Sequence, residues 1–135
     1  MGMDRFGHFI DGEPRPGSAW RPVYEPASGE VYAEVADGSE HDALLAVRAA
    51  EAAFPAWSGL TTSERSRWLE RLADALEQRR DAFAAAESRD TGKPLALARD
   101  IEIPRAVANL RFFAHAATQF ASESHHGEAG LNYTL

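Results

Sequence analysis

The chain has 135 residues, a length that suits one modest domain, with 44% hydrophobic and 26% charged residues, ordinary proportions for a globular chain in water. A formal net charge of −7 argues against nucleic-acid backbones as partners, which call for clustered Lys and Arg. No apolar run approaches the roughly 18 to 20 residues that span a bilayer, the start has no apolar signal region, and zero cysteines exclude disulfides and thiolate metal sites; a cytoplasmic protein with no membrane partner is expected.

The strand-prone pieces come first, in residues 1–38, which hold most of the glycine and proline. Phe6 to Ile10 reads as a short strand ending in the turn dipeptide Asp11-Gly12. Trp20 to Tyr24 reads as a second strand. Glu25-Pro26-Ala27-Ser28-Gly29 follows as a turn, because proline presets φ near its start and glycine accepts positive φ near its end. Val31, Ala33 and Val35 alternate with Tyr32 and Glu34, the period of a half-buried strand. These pieces predict a small antiparallel sheet.

Residues 39–122 are rich in Ala, Leu, Glu and Arg and read as helix. Ser39 is a good N-cap, and Glu40 and Asp42 suit the positive end of a helix dipole. The first helix is expected to run to about Phe54 and stop at Pro55. Thr61 and Glu64 form a capping box for the next helix, in which Leu69, Leu72, Ala73 and Leu76 repeat at helical spacing. Around Gln78 to Asp81 the pattern fits one long helix or two. Gly92 and Pro94 punctuate the chain after Asp90. A third helical region is expected from about Pro94 to Ala121, with Pro104 starting or kinking its longer part. Val107, Leu110, Phe113, Ala114, Ala117 and Phe120 form its apolar stripe. In residues 123–135, a polar loop to Gly130 leads into the strand-prone Leu131 to Leu135, after which no hairpin partner follows.

Motifs for chemistry are sparse. His8, His41, His115, His125 and His126 include no i, i+4 pair and no HExxH, so solvated surface is the plain reading of the adjacent His125 and His126. The chain carries no G-x-S-x-G, no P-loop and no G-x-G-x-x-G, which leaves hydrolase and nucleotide-binding readings without a motif. Asp100 and Glu102 read as solvated helix charge rather than an acid/base pair. Trp57, Trp68, Phe112, Phe113 and Phe120 read as core. Arg105 stands apart. With Pro104 at the first helical position, a cation at Arg105 opposes the helix dipole, and an Arg held there can serve an anion, since guanidinium grips a carboxylate with two N–H groups. The plainer alternative is a surface Arg paired with Glu102 or Asp100.

Six segments, in order, resemble the N-terminal part of the NAD(P)-dependent aldehyde dehydrogenase superfamily: Phe9-Ile10-Asp11-Gly12-Glu13, the run Glu25 to Val31, Ala49 to Trp57, Arg71-Leu72-Ala73-Asp74, Asp90-Thr91-Gly92-Lys93-Pro94 and Arg111-Phe112-Phe113-Ala114. Glu25 departs from the family, which usually has Asn before that proline. Glu87-Ser88-Arg89-Asp90, the run Leu95 to Arg99, Ile103-Pro104-Arg105 and Leu131-Asn132-Tyr133-Thr134 look most like the 2-aminomuconic and 2-hydroxymuconic semialdehyde dehydrogenase branch. The resemblance implies an α/β fold (α+β as an isolated fragment), with a small antiparallel β region, a helical bundle and an orphan C-terminal strand that begins the arm bridging subunits. It also implies NAD or NADP as cofactor of a complete enzyme, none of it bound by this chain alone. Such enzymes attack the aldehyde with a cysteine, pass hydride to the nicotinamide and hydrolyse the thioester with a glutamate-activated water. All those groups lie downstream of the matched stretch. The resemblance gives Arg105 a role in holding the substrate carboxylate. It implies a monovalent-cation site near Val23, Tyr24 and Asp90, largely through backbone carbonyls.

A chain without a thiol cannot form that thioester. The expected function is therefore the N-terminal portion of a dehydrogenase that oxidises a carboxylated semialdehyde, inactive alone, with the missing C-terminal part as partner and a homo-oligomer as the complete form. The alternatives are a non-catalytic helical binding or assembly module and one half of a split dehydrogenase. Wide apolar helix faces left in water predict a marginally stable, association-prone chain.

Overall fold

A computed structural model describes residues 3–121 and 123–133. Its strands are β1 (Asp4–Phe6), β2 (His8–Ile10), β3 (Glu13–Arg15), β4 (Ala19–Tyr24) and β5 (Val31–Asp37). Gly7 divides the single strand expected over Phe6 to Ile10. The Asp11-Gly12 turn closes β2 onto β3 with both residues at positive φ, 59° and 75°, which matches the natural twist of a hairpin.

The main sheet has the order β1-β5-β4 and is mixed rather than antiparallel. β4 runs antiparallel to β5, and β1 runs parallel to it. The reason lies in the connections. The turn after β4 fixes the β4–β5 direction locally: Gly29 N–H donates to the Glu25 carbonyl at 2.8 Å and Glu25 N–H to the Glu30 carbonyl at 2.9 Å. β1 meets β5 only after the β2–β3 hairpin and β4, so no local turn dictates its sense. Arg5 Nε lies 2.7 Å from Glu34 Oε2 on its register partner, and the guanidinium lies 5.1 Å from the Trp20 ring centroid. One side chain thus reaches all three strands. The β4–β5 register shifts at Val23/Tyr24: Val23 pairs with Ala33 and Tyr24 with Val31, which leaves Tyr32 as the extra residue of a β-bulge.

Helix α1 (Glu40–Ser58) opens as expected. Asp42 N–H donates to Ser39 Oγ at 3.2 Å, and Ser39 N–H donates to Asp42 Oδ2 at 2.9 Å. Pro55 does not stop it. The ring's fixed φ is helical, and only the one N–H is lost, so the helix continues and closes with Gly59 N–H on the Pro55 carbonyl at 3.1 Å. The Thr61–Glu64 capping box opens α2 (Thr62–Gln78), with reciprocal bonds of 3.2 and 2.8 Å. The open choice near Gln78 resolves into two helices: Arg79, at φ −108° and ψ 20°, separates α2 from α3 (Arg80–Thr91). Gly92, at φ 74°, ends α3 and donates its N–H to the Ser88 carbonyl at 3.0 Å; a methyl group there would come within 3.0 Å of Pro26 Cβ.

The third helical region divides into α4 (Leu95–Leu97), a π-helical turn (Ala98–Glu102) and α5 (Ile103–Gln119). Ile103 N–H reaches back five residues to the Ala98 carbonyl. Pro104 explains the widening: it offers no N–H to the Asp100 carbonyl, and its ring crowds that oxygen. α5 packs antiparallel on α2, where Arg111 Nη2 bonds Asp74 Oδ1 and Glu77 Oε2, each at 2.7 Å, and His115 Nε2 meets Glu70 Oε1 at 3.0 Å.

The C-terminal strand is not an orphan. β6 (Ser124–Gly127), expected as loop, pairs antiparallel with β7 (Gly130–Tyr133). His125 and His126 lie in β6; Thr134 and Leu135 fall outside the described residues.

The interior is thin. The buried apolar residues are Ile10, Ile103, Val107 and the alanines 33, 73, 84, 98 and 114, and among the described residues no large side chain is fully buried. The stripe expected along α5 splits: Val107 and Ala114 are buried, whereas Phe113 and Phe120 are 61% and 88% exposed. Trp57, Trp68 and Phe112, expected in the core, are exposed as well. Their contacts include the Arg71 guanidinium 4.4 Å from the Trp68 ring centroid and an edge-on meeting of Phe112 with Phe113. The chain exposes 10442 Å², whereas a compact monomer of 14.8 kDa exposes about 7,000 Å². Its helices therefore carry apolar surface that its own residues do not cover.

Candidate functional site

Two adjoining features stand where the sheet meets α3 and the π-helical turn. The first is an open cleft of about 640 Å³ whose walls include Phe6, Val23, Val35, Phe83 and Ile103. Its polar rim holds Asp4, Tyr32, Glu87, Arg89 and Asp90. The bulge at Tyr32 turns this side chain toward α3, where its hydroxyl donates to Asp90 Oδ1 at 2.9 Å. That hydrogen bond, with some desolvation, pushes the phenol above its ordinary value. Arg89 stacks 4.3 Å from the Tyr32 ring centroid, and its Nε lies 3.7 Å from Glu25 Oε1.

The second feature is a chain of alternating charge. Lys93 Nζ donates to Glu87 Oε1 at 3.0 Å and lies 3.7 Å from Glu102 Oε2; the same Glu102 oxygen accepts from Arg105 Nη2 at 2.8 Å. The left-handed Gly92 folds Lys93 back beside Glu87, six residues earlier. The Glu87 hydrogen bond, with the Glu102 charge, holds the Lys93 ammonium above its ordinary value. Glu87 also lines the cleft, so the two features share a wall.

Of the residues singled out from sequence, Val23 and Asp90 both line the cleft, and Tyr24 is exposed beside the bulge. Arg105 is on the first turn of α5, with its side chain 66% exposed and paired with Glu102, as the plainer alternative anticipated. The dipole argument for it does not hold: helical bonding continues from the π turn, and the Ile103 N–H is already engaged by Ala98. Tyr32, Glu87 and Lys93 join the site without a motif to mark them in the sequence. Lys93 stood next to a glycine able to reverse the chain, the one local signal available; the Tyr32–Asp90 contact spans 58 residues and left none.

Among the described residues, no group of three or more His, Cys, Asp or Glu is placed to hold a metal ion, and no helix is long and apolar enough to cross a membrane. The charged groups of the cleft rim are the Asp4, Glu87 and Asp90 carboxylates and the Arg89 guanidinium. A smaller hollow of about 330 Å³ lies between β2 and α1, where His8 Nε2 is buried without a hydrogen-bond partner, 3.7 Å from Asp42 Oδ2.

This arrangement of strands and helices has close counterparts. The profile of the aldehyde dehydrogenase family matches residues 14–134. The human 2-aminomuconic semialdehyde dehydrogenase is 48% identical over 116 residues, which cover 86% of this chain and 24% of that protein. The 5-carboxymethyl-2-hydroxymuconate semialdehyde dehydrogenase of Escherichia coli is 38% identical over 134 residues, covering 98% and 29%. Among solved structures, an aldehyde dehydrogenase from Bacillus cereus in complex with NAD+ superposes with a TM-score of 0.89 at 33% identity, over 96% of this chain and 28% of that one. The chain belongs to the aldehyde dehydrogenase family. Its fold is the N-terminal α/β part of the family's fold, and it spans 24% to 29% of the length of these relatives.

Proposed function

We propose that this chain is the N-terminal portion of an NAD(P)-dependent dehydrogenase that oxidises a carboxylated semialdehyde to the acid, and that it is inactive alone. The carrying observation is the pattern of coverage: relatives named as semialdehyde dehydrogenases match nearly all of this chain and under a third of themselves. The absence of any cysteine supports the second half, because the family's thioester step needs a thiol. The bare aromatic side chains of α5 support it physically, as surface suited to a body beyond residue 135. In this reading residues 1–38 form the strand-rich segment, 39–122 the helical segment and 123–135 the start of an arm that bridges subunits of a homo-oligomer. Arg105 holds the substrate carboxylate through the N–H groups that no other described residue engages. Carbonyls near Val23, Tyr24 and Asp90 hold a monovalent cation; their position at one cleft and one bulge supports this. No hydride step is assigned to these residues.

The test compares the purified 135-residue chain with a full-length dehydrogenase that begins with it, following NADH or NADPH formation with a carboxylated semialdehyde. Turnover is expected from the full-length protein alone. Turnover by the short chain, or none by the full-length protein on any acidic aldehyde, overturns the proposal.

A further inference from the structure

We propose that Glu102, steadied by Lys93, positions Arg105 so that one edge of its guanidinium stays open to the carboxylate of an acidic aldehyde. The inference rests on the proposed role of Arg105 and adds what makes that Arg selective. The guanidinium has two N–H edges. Glu102 Oε2 occupies Nη2 at 2.8 Å, and among the described residues no other group accepts from Arg105. A side chain that is 66% exposed would otherwise sample many rotamers; tying one nitrogen lowers the ordering cost of meeting a ligand.

A lone acid beside the Arg would also repel the incoming carboxylate. Lys93 counters that. Its Nζ lies 3.7 Å from the oxygen that Arg105 uses, and Glu87 holds the ammonium at 3.0 Å from the other side. Side-chain exposure is 36% at Glu87 and Lys93, 23% at Glu102 and 66% at Arg105, so the three anchoring groups are more sheltered than the guanidinium they steady. Pro104 lies between acid and Arg, and its fixed φ limits how far the two can rotate apart.

The experiment measures KM and kcat of the full-length dehydrogenase with a carboxylated semialdehyde and with a neutral aldehyde of equal length. Arg105→Ala is expected to raise KM for the carboxylated aldehyde by about a hundredfold and spare the neutral one. Glu102→Ala is expected to raise the same KM by about tenfold with kcat within about twofold, and Glu102→Gln, whose amide oxygen still accepts from Nη2, to recover most of the loss. No effect of Arg105→Ala sinks the reading of Arg105 and this inference with it. An Arg105 effect with an unchanged or lowered KM in Glu102→Ala leaves that reading standing and overturns the positioning role, since Glu102 is then only a repelling charge. Equal losses on both aldehydes mean a purely structural Glu102 and also overturn it. Side-chain NMR of the 135-residue chain gives a second reading: guanidinium rotation at Arg105 is expected to speed up in Glu102→Ala and to stay slow in Glu102→Gln, and identical rotation in all three overturns the inference.

Discussion

The Tyr32 hydroxyl donates to Asp90 Oδ1 across 58 residues of sequence, at 2.9 Å, and ties the bulged strand β5 to the last turn of α3. The sheet and the helices meet through this bond and the Arg89 guanidinium stacked on the same ring. The pairing decides where the cleft wall stands, because Tyr32 and Asp90 both line it.

Tyr32→Phe removes the donor and keeps the ring. Amide exchange in β5 and in the last turn of α3 is expected to quicken by about twofold to fivefold, with α1 and α2 unchanged. The phenol's folded pKa is raised above the unfolded value of 10.0. Its contribution is therefore present below that pH and fades as pH rises through the folded value. Uniform exchange throughout the chain would show that the bond does not join these elements.

Ser39→Ala and Thr61→Ala each remove a cap whose oxygen accepts a backbone N–H, at a cost of about 1 kcal/mol in the helix concerned. The reciprocal acids add a pH dependence. Hydrogen bonds from Ser39 hold Asp42 below its usual 3.8, and those from Thr61 hold Glu64 below its usual 4.5. Depressed values mean that this stabilisation is present above those ordinary values and is lost as pH falls through the lower folded ones. Far-UV circular dichroism through acid should show the wild-type chain losing helix below pH 4.5, with Asp42→Asn and Glu64→Gln flattening that slope.

Pro104→Ala restores an N–H facing the Asp100 carbonyl and removes the ring that crowds it. The π-helical turn is expected to relax to α-helix, seen as changed Cα shifts confined to Ala98–Arg105 and a new protected amide at position 104. Retention of the wide turn would assign it to packing of Ala98 and Ile103, both of which are buried.

Phe113 in the second half of α5 and Phe120, the residue that follows the helix, are exposed, and burial of such surface yields about 25 cal/mol per Å². Self-association of the 135-residue chain is expected in sedimentation equilibrium. The double change Phe113→Ser with Phe120→Ser is expected to reduce it severalfold while helix content holds. A wild-type chain that stays monomeric at high concentration would mean that this face needs no cover.

The features legible in sequence were those written within a few residues. The Ser39 and Thr61 caps, the Asp11-Gly12 hairpin, the Glu25–Gly29 turn and the Gly92 stop each depend on groups three to five positions apart, where chain connectivity has already brought the partners together. Pro55 misled because a proline forbids one hydrogen bond and not a helix; whether the helix goes on depends on the residues after it. The strand Ser124–Gly127 is illegible in sequence because its polar composition carries no apolar alternation, and its pairing with Gly130–Tyr133 supplies the ladder bonds that composition cannot reveal.

By itself, then, the sequence determined the capped starts of the first two helices, the two turns and the Gly92 stop, the lack of a thiol and the six segments of family likeness, since each is a property of residue identity and short spacing. Only the tertiary structure decided that β1 joins β5 in parallel, that Tyr32 meets Asp90, that Lys93 stands between Glu87 and Glu102, and that Phe113 and Phe120 are left in water. These depend on closing long loops and on which surfaces find a partner, and residue type fixes neither.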